Sequence, residues 1–202
     1  VHQVLAGGQG ALMASTPLTL AETASVFGEM LTFRSLLDGT FDRRERKAML
    51  AQKVEDMINT VVRQIAFYEF ERKVHTERRN GELTSDQLGR FWLEVQAESL
   101  GPAIRLREGY ETFWTYIPHF IHSPFYVYAY AFGDCLVNSL YAVYQNAERG
   151  FQEKYFEMLR AGGTKHHSEL LKPFGLDASD PAFWQIGLSV IGNLIDELEA
   201  LD

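Results

Sequence analysis

The stretch of sequence that decides the fold is residues 43–79, which read RRERKAMLAQKVEDMINTVVRQIAFYEFERKVHTERR. It contains neither proline nor glycine. Its apolar residues recur at steps of three and four, which is the period of one face of an α-helix. They are Leu50, Val54, Met57, Val61, Ile65 and Tyr68. The pattern predicts a long amphipathic helix that ends at Asn80-Gly81.

Helix-start signals lie on both sides of this stretch. Thr19-Leu-Ala-Glu22 and Thr84-x-x-Gln87 both have the form of a capping box, in which the first side chain accepts from a first-turn amide and the fourth bonds back. They predict one helix from Thr19 to about residue 37 and another from Thr84 to about residue 100. Asp180 followed by proline predicts the start of a last helix, and the remaining helices are expected at about 150–161, 165–173 and 181–199.

The segment from 124 to 144 is almost wholly apolar and is long enough to be considered as a membrane span. Asp134 and Asn138 lie near its middle, where a charge in lipid would be costly. A helix buried in a helical core is therefore the better interpretation. Since no alternating strand pattern of useful length occurs, the sequence predicts an all-α fold, with residues 1–202 forming a single helical domain.

Composition excludes several classes of protein. The chain is 46% hydrophobic and 23% charged, as in an ordinary soluble protein, and its net charge of -8 gives no basic stripe for a nucleic-acid backbone. Its one cysteine cannot form an internal disulfide, and neither a signal peptide nor a presequence is visible. We therefore expect a cytoplasmic protein with no nucleic-acid and no membrane partner. Residues 1–6 lack an initial methionine and are expected to be the end of an interrupted helix.

Glu22 and Glu29 are the first candidate functional pair. They lie seven residues apart, about 700° around a helix, so both carboxylates project from nearly the same face. The surrounding residues are mostly apolar, and two carboxylates there need partners. The alternative is that Glu22 only completes its capping box and that Glu29 is solvated.

A second candidate region is residues 117–130, where two histidines and three tyrosines crowd a segment broken by two prolines. Histidine can donate to a developing oxyanion or accept a proton, and a tyrosine hydroxyl can donate to the tetrahedral oxyanion formed when a carbonyl is attacked. The residues are His119, His122, Tyr126, Tyr128 and Tyr130. Core aromatic residues with satisfied polar tips are the alternative.

The order of motifs resembles the oligoendopeptidase F family of zinc metallopeptidases, relatives of thimet oligopeptidase and neurolysin. The motifs are Val1-His-Gln, a glycine-rich stretch, Leu20-Ala-Glu-Thr-Ala-Ser-Val-Phe-Gly-Glu29, and Pro118-His-Phe followed by Phe125-Tyr-Val-Tyr128. The resemblance implies a multi-helix lobe of a neurolysin-like or oligoendopeptidase-like zincin. This lobe lacks the N-terminal lobe and most of the active-site helix.

The resemblance also implies roles for individual residues. Glu22 is similar to the third zinc ligand and Glu29 to an acidic residue that orients a ligand. His119 and Tyr126 resemble catalytic residues that steady the oxyanion. The substrate-binding candidates are His122, Tyr128 and Tyr130. Because of the spacing after His119, any of Tyr126, Tyr128 and Tyr130 could be the oxyanion donor.

One departure from the family decides activity. The family's His-Glu-x-x-His motif is absent from the 202 residues, so the chain alone is expected to be inactive and not to retain zinc. The implied function is part of a zinc-dependent metalloendopeptidase that hydrolyses short peptides together with the missing N-terminal portion of the same protein. The alternative is a non-catalytic helical scaffold or interaction domain that has lost the metal motif.

Overall fold

The computed structural model describes residues 1–147 and 149–201, with the backbone only of Leu18. Within these residues every regular element is helical, which confirms the all-α prediction. The α-helices are α1 (His2–Ala6), α2 (Thr23–Gly39), α3 (Arg43–Ile58), α4 (Gln64–Arg78), α5 (Ser85–Leu100), α6 (His119–His122), α7 (Tyr128–Asn146), α8 (Phe151–Arg160), α9 (His167–Leu171) and α10 (Pro181–Glu199). Short 3-10 helices cover Gly7–Gln9, Leu18–Leu20, Tyr110–Tyr116 and Lys172–Phe174, and Asn59–Arg63 is π-helical.

The chain divides into two compact units. The first unit comprises residues 1–57 and the described residues from 132 onward, and the second unit comprises residues 58–131. Each has its own set of buried apolar side chains. That residues 1–202 act as a single domain stays a prediction.

The first unit is built around the apolar part of α7. Leu136, Val137 and Leu140 are wholly buried, and the amide of Asn138 donates to the Asp134 carboxylate at 2.9 Å. Asp134 and Asn138 thus form a hydrogen bond with each other, as expected of buried polar residues of a core helix. None of the described helices combines the length and apolar character that a bilayer crossing requires.

Helices α7 and α10 approach closely at a glycine. A Cβ atom at Gly187 would lie 2.7 Å from the carbonyl oxygen of Cys135. Such a distance is well inside van der Waals contact, so only glycine fits here without movement of a neighbour. Asp180 caps α10 as predicted, because its carboxylate accepts the backbone N–H of Ala182 at 2.9 Å.

The second unit has an aromatic core formed by α4 and α5. Trp92 is fully buried between Phe67 and Phe70, with ring centroids 5.4 and 5.3 Å away. Helix α5 begins at the predicted capping box, in which the Thr84 hydroxyl and the Gln87 side chain accept each other's backbone N–H. This local prediction is confirmed.

The π-helical turn corrects the predicted apolar face of residues 43–79. Val61 is buried as predicted, but Ile65 is 47% exposed, and Phe67 and Phe70 are buried instead. A π turn holds an extra residue, which rotates the following helix by about 100° relative to an uninterrupted α-helix. The stripe of three- and four-residue steps therefore ends at Asn59–Arg63 and a different face of α4 is buried.

The predicted capping box at Thr19 is wrong. Thr19 belongs to the 3-10 helix Leu18–Leu20, and α2 starts at Thr23 with Glu22 as the residue before it. The hydroxyl of Thr23 donates to the carbonyl of Leu20 at 2.8 Å, which joins the two helices. The start of α2 is thus four residues later than predicted, and its end at Gly39 lies close to the predicted one.

Candidate functional site

Glu22 lies at the start of α2 with its side chain exposed to solvent. Its backbone is near-helical (φ -90°, ψ -2°) and its carboxylate makes no capping hydrogen bond. In the described part of the chain, no residue forms a hydrogen bond or ion pair with this carboxylate. The carboxylate is therefore not committed to the helix end and is available to a ligand.

The donors that a zinc ion needs are only partly present. A catalytic zinc site usually has three protein ligands and one water, with histidine and carboxylate as preferred donors. Residues 1–147 and 149–201 contain no cluster of three or more His, Cys, Asp or Glu side chains that could hold a metal ion. Glu22 is thus suitable as one ligand, and the chain does not supply a complete set.

Glu29 projects from α2 toward α3, where its carboxylate contacts the ammonium of Lys53 at 2.5 Å. The Lys53 side chain is only 8% exposed, whereas that of Glu29 is 60% exposed. The observed partner of Glu29 is therefore a lysine. Its predicted role in orienting a ligand stays a prediction.

Asp134 is a buried acid of α7 in the same unit as Lys53. Burial raises its pKa to about 6, while Lys53 and the hydrogen bond from Asn138 act in the opposite direction, and Glu29 adds to the increase. Neither attraction outweighs the loss of hydration of the carboxylate. Asp134 therefore takes up a proton more readily than an exposed aspartate.

His119, Tyr126 and Tyr130 come together in the second unit. The centroid of the His119 ring lies 5.6 Å from that of Tyr126 and 5.9 Å from that of Tyr130, and the two tyrosine rings lie 5.3 Å apart. The hydroxyl of Tyr130 and Nε2 of His119 are 3.3 Å apart, a hydrogen bond whose direction depends on the tautomer. By contrast, no described residue is hydrogen-bonded to the Tyr126 hydroxyl. Tyr126 thus has a free donor beside a histidine.

The other two predicted substrate-binding residues lie apart from this cluster. Tyr128 contacts Tyr68, with ring centroids 6.0 Å apart, and is partly exposed. His122 is exposed at the end of α6, and within the described residues it makes no ring contact or hydrogen bond through its side chain. The structure thus brings together three of the five residues of the segment 117–130.

Glu71, which was not a candidate from the sequence, is hydrogen-bonded to the backbone next to Tyr126. It is only 2% exposed, and one of its carboxylate oxygens accepts the backbone N–H of Phe125 at 2.6 Å. Phe125 immediately precedes Tyr126 and has φ of +58°. The sequence signal for Glu71 is its position on α4, four residues after Phe67 and one after Phe70, on the face that is buried.

The electrostatic surroundings of Glu71 include two histidines. Burial raises the pKa of Glu71 above its usual value, and the hydrogen bond from Phe125, then His75, then His119 act to lower it. The His75 ring also packs on the Phe125 ring, with centroids 4.7 Å apart. The carboxylate is thus linked to the His119 cluster both through the backbone and through charge.

Comparison with known sequences gives consistent matches along the chain. Residues 1–190 match the model of Peptidase family M3. Oligoendopeptidase F (plasmid) of Lactococcus lactis subsp. cremoris is 31% identical over 186 residues, which is 92% of this chain and 31% of that protein. Oligopeptidase PepF of Bacillus subtilis is 29% identical over 183 residues, which is 90% of this chain and 27% of that protein. The chain thus spans about a third of the length of the curated relatives it matches.

Solved structures show the same fold. A putative peptidase from Chlamydophila abortus superposes with a TM-score of 0.88 at 29% identity, covering all of this chain and 34% of that one. Oligoendopeptidase-F from Enterococcus faecium superposes with a TM-score of 0.84 at 29% identity, covering 99% of this chain and 37% of that one. The family match over residues 1–190 and the shared helical fold lead to one conclusion: the chain belongs to peptidase family M3.

Proposed function

We propose that this chain forms part of the active centre of a zinc-dependent metalloendopeptidase that hydrolyses short peptides. The observation that carries the proposal is the cluster of His119, Tyr126 and Tyr130, in a chain that belongs to a peptidase family. A free tyrosine hydroxyl beside a histidine can supply the hydrogen bond that stabilises the oxyanion formed when a peptide carbonyl is attacked.

Within this proposal Tyr126 donates its hydroxyl proton in a hydrogen bond to the oxyanion that develops on the substrate carbonyl. Its hydroxyl needs no rearrangement to do so, because no described residue occupies it. Tyr130 holds Nε2 of His119 at 3.3 Å and so fixes the orientation of the imidazole against the substrate. His122 and Tyr128 would then contact parts of the peptide farther from the scissile bond.

Glu22 is the proposed zinc ligand of this chain. When zinc is bound, it acts as a Lewis acid that activates water for attack. The two histidine ligands and the catalytic glutamate would come from a His-Glu-x-x-His segment in a portion of the protein outside these residues, so the 202-residue chain alone is expected to bind little zinc. The free Glu22 carboxylate supports this role.

One experiment tests both parts of the proposal in the longest natural polypeptide that contains this chain. Glu22→Gln is expected to abolish most zinc binding, measured as metal content after dialysis, because an amide is a much poorer zinc ligand than a carboxylate. Tyr126→Phe is expected to retain zinc and to lower kcat on a short fluorogenic peptide by about 10²–10³-fold, as loss of an oxyanion donor does.

Matched controls are available for both variants. Glu153→Gln changes an exposed glutamate in the first turn of α8, and Tyr116→Phe changes an exposed tyrosine of the second unit. Both should leave zinc content and kcat unchanged. Full zinc content in Glu22→Gln would refute the ligand assignment, and absence of peptide hydrolysis in the zinc-loaded wild-type protein would favour the non-catalytic scaffold.

A further inference from the structure

Glu71 places a carboxylate in the interior of the second unit, which is unfavourable for folding. Its carboxylate is almost fully buried, and its second oxygen, Oε2, has no hydrogen-bond partner among the described residues. Moving a carboxylate out of water is strongly unfavourable unless hydrogen bonds or charges compensate for the lost hydration. The one direct compensation among the described residues is the 2.6 Å hydrogen bond from the backbone N–H of Phe125. Any role of Glu71 therefore depends on its hydrogen bond with Phe125.

The contact is made to a strained turn. Tyr126 donates its backbone N–H to the carbonyl of Ser123 at 3.2 Å, with Pro124 and Phe125 as the two central residues. Proline followed by a residue of positive φ is the pattern of a type II turn, in which glycine normally takes the second central position. Phe125, at φ of +58°, is the one non-glycine residue of positive φ in the described chain.

A phenylalanine in the left-handed region needs external support. The conformation is unfavourable for a residue with a Cβ atom, and it persists only where the surroundings hold it. The turn itself does not use the N–H of Phe125, because its closing hydrogen bond comes from Tyr126. A charged acceptor on that N–H gives a hydrogen bond stronger than one to a neutral group. Glu71 thus accepts the one backbone N–H of the turn's two central residues, since Pro124 has none.

The orientation of Tyr126 depends on this turn. Its N–H closes the turn, and its carbonyl accepts the N–H of Ala129 at 3.0 Å, where α7 begins. Both peptide groups of Tyr126 are thereby fixed. Were Phe125 to relax to negative φ, the backbone before Tyr126 would rotate and carry its ring away from His119.

We infer that Glu71 is a positioning residue for the proposed peptide hydrolysis, in which its buried carboxylate holds the left-handed Phe125 so that Tyr126 stays against His119. This inference rests on the proposed function. Among the described residues Glu71 makes no hydrogen bond to Tyr126, and the hydrogen bond of its carboxylate is to the backbone of Phe125, through which it acts. The titratable groups that act on the Glu71 carboxylate are His75 of its own helix and His119 of α6.

The kinetic test compares two substitutions of similar size in the longest natural polypeptide that contains this chain. Glu71→Met removes the acceptor without leaving a cavity or a buried charge, and Glu71→Gln keeps an amide oxygen that can accept the N–H of Phe125. Glu71→Met is expected to lower kcat by about 10–100-fold with little change in KM, because misplacing a group that acts in the transition state lowers kcat. Glu71→Gln should recover most of the loss.

Two further variants show whether Glu71 acts through Tyr126. In a Tyr126→Phe background, Glu71→Met should lower kcat by no more than about twofold further, since residues that act as a unit are not additive. Gln96→Ala is the structural control, because Gln96 is also a buried polar residue of the second unit and its side-chain hydrogen bond is to Tyr110, outside the turn. Fully additive losses, or an equal loss in Gln96→Ala, would overturn the inference.

Amide hydrogen exchange tests the contact without any activity. The Phe125 amide should exchange slowly in the wild-type protein, and at least about tenfold faster in Glu71→Met than in Gln96→Ala, because a hydrogen-bonded amide exchanges only when it opens. An unprotected Phe125 amide in the wild-type protein overturns the inference and leaves the proposed function intact. A wild-type protein that hydrolyses no peptide while this amide is protected defeats the proposed function and leaves the contact established.

Discussion

Replacing Asp134 with asparagine is expected to stabilise the protein at neutral pH and to have little effect in acid. Asp134 is 6% exposed, and burial raises its pKa to about 6. Asparagine has nearly the same shape and keeps an oxygen that can accept the amide of Asn138, now 2.9 Å from the Asp134 carboxylate. The substitution therefore removes the buried charge and little else.

The magnitude follows from the pKa. A rise from the usual 3.8 to about 6 corresponds to roughly 3 kcal/mol of free energy of unfolding, at about 1.4 kcal/mol per pH unit. Because the pKa is higher in the folded state, the folded protein binds more protons between about pH 4 and pH 6, and the free energy of unfolding falls as pH rises through this range. The asparagine variant should thus gain almost nothing below about pH 4 and about 2–3 kcal/mol above about pH 7.

Urea unfolding followed by circular dichroism, at about pH 4 and about pH 8, measures this difference. The control is Asp196→Asn, which changes an exposed aspartate of α10 and should shift stability equally little at both pH values. An equal change for Asp134→Asn at the two pH values would refute the reasoning. Destabilisation at the higher pH would show that the attraction between Asp134 and Lys53 outweighs the cost of burial.

Three further substitutions test the packing and the helix ends. Gly187→Ala should lower the free energy of unfolding by about 1–3 kcal/mol, because its Cβ would overlap the Cys135 carbonyl, and a wild-type urea midpoint would contradict the close approach. Gly192→Ala, on the same helix with no atom within 4 Å of a new Cβ, should instead raise it by up to about 1 kcal/mol. Thr84→Ala should cost about 1 kcal/mol in the same assay through loss of the cap on Gln87, and an unchanged midpoint would count against it.

Helix starts could be predicted where the signal was local. Thr84 and Asp180 cap their helices as their neighbours indicate. Thr19 has the same capping-box pattern as Thr84, but a 3-10 helix over Leu18–Leu20 moves the start of α2 to Thr23. The pattern describes hydrogen bonds that a helix start can form, and competing hydrogen bonds such as Thr23 to Leu20 decide whether it does.

In residues 43–79, the sequence predicted which apolar residues are buried only up to the point where the α-helical period is interrupted. Ile65 fits the three- and four-residue steps but is exposed, because the π turn Asn59–Arg63 changes the register before it. Nothing in a periodic pattern marks where an extra residue enters a turn. The same shift places Glu71 on the buried face, which is why it was not among the candidate residues.

The candidate site was predicted in part because its chemistry is concentrated in one short segment. His119, Tyr126 and Tyr130 were recognisable from the density of donors in segment 117–130, which two prolines interrupt, and the structure places them in contact. Tyr128 was indistinguishable from its neighbours by sequence, yet it contacts Tyr68 instead. The direction in which a side chain points at a helix start depends on the turn before the helix. Residue spacing alone does not predict the conformation of that turn.

The close contact of α7 and α10 also contains a residue, Cys135, that can report how often the two helices separate. Cys135, the one cysteine of the sequence, is 3% exposed, and burial together with the nearby Asp134 raises the pKa of its thiol to about 12. A thiol that is both covered and protonated reacts with an alkylating reagent only when the two helices separate. The rate at which the intact protein is labelled therefore measures how often this part of the first unit opens, with no engineered probe.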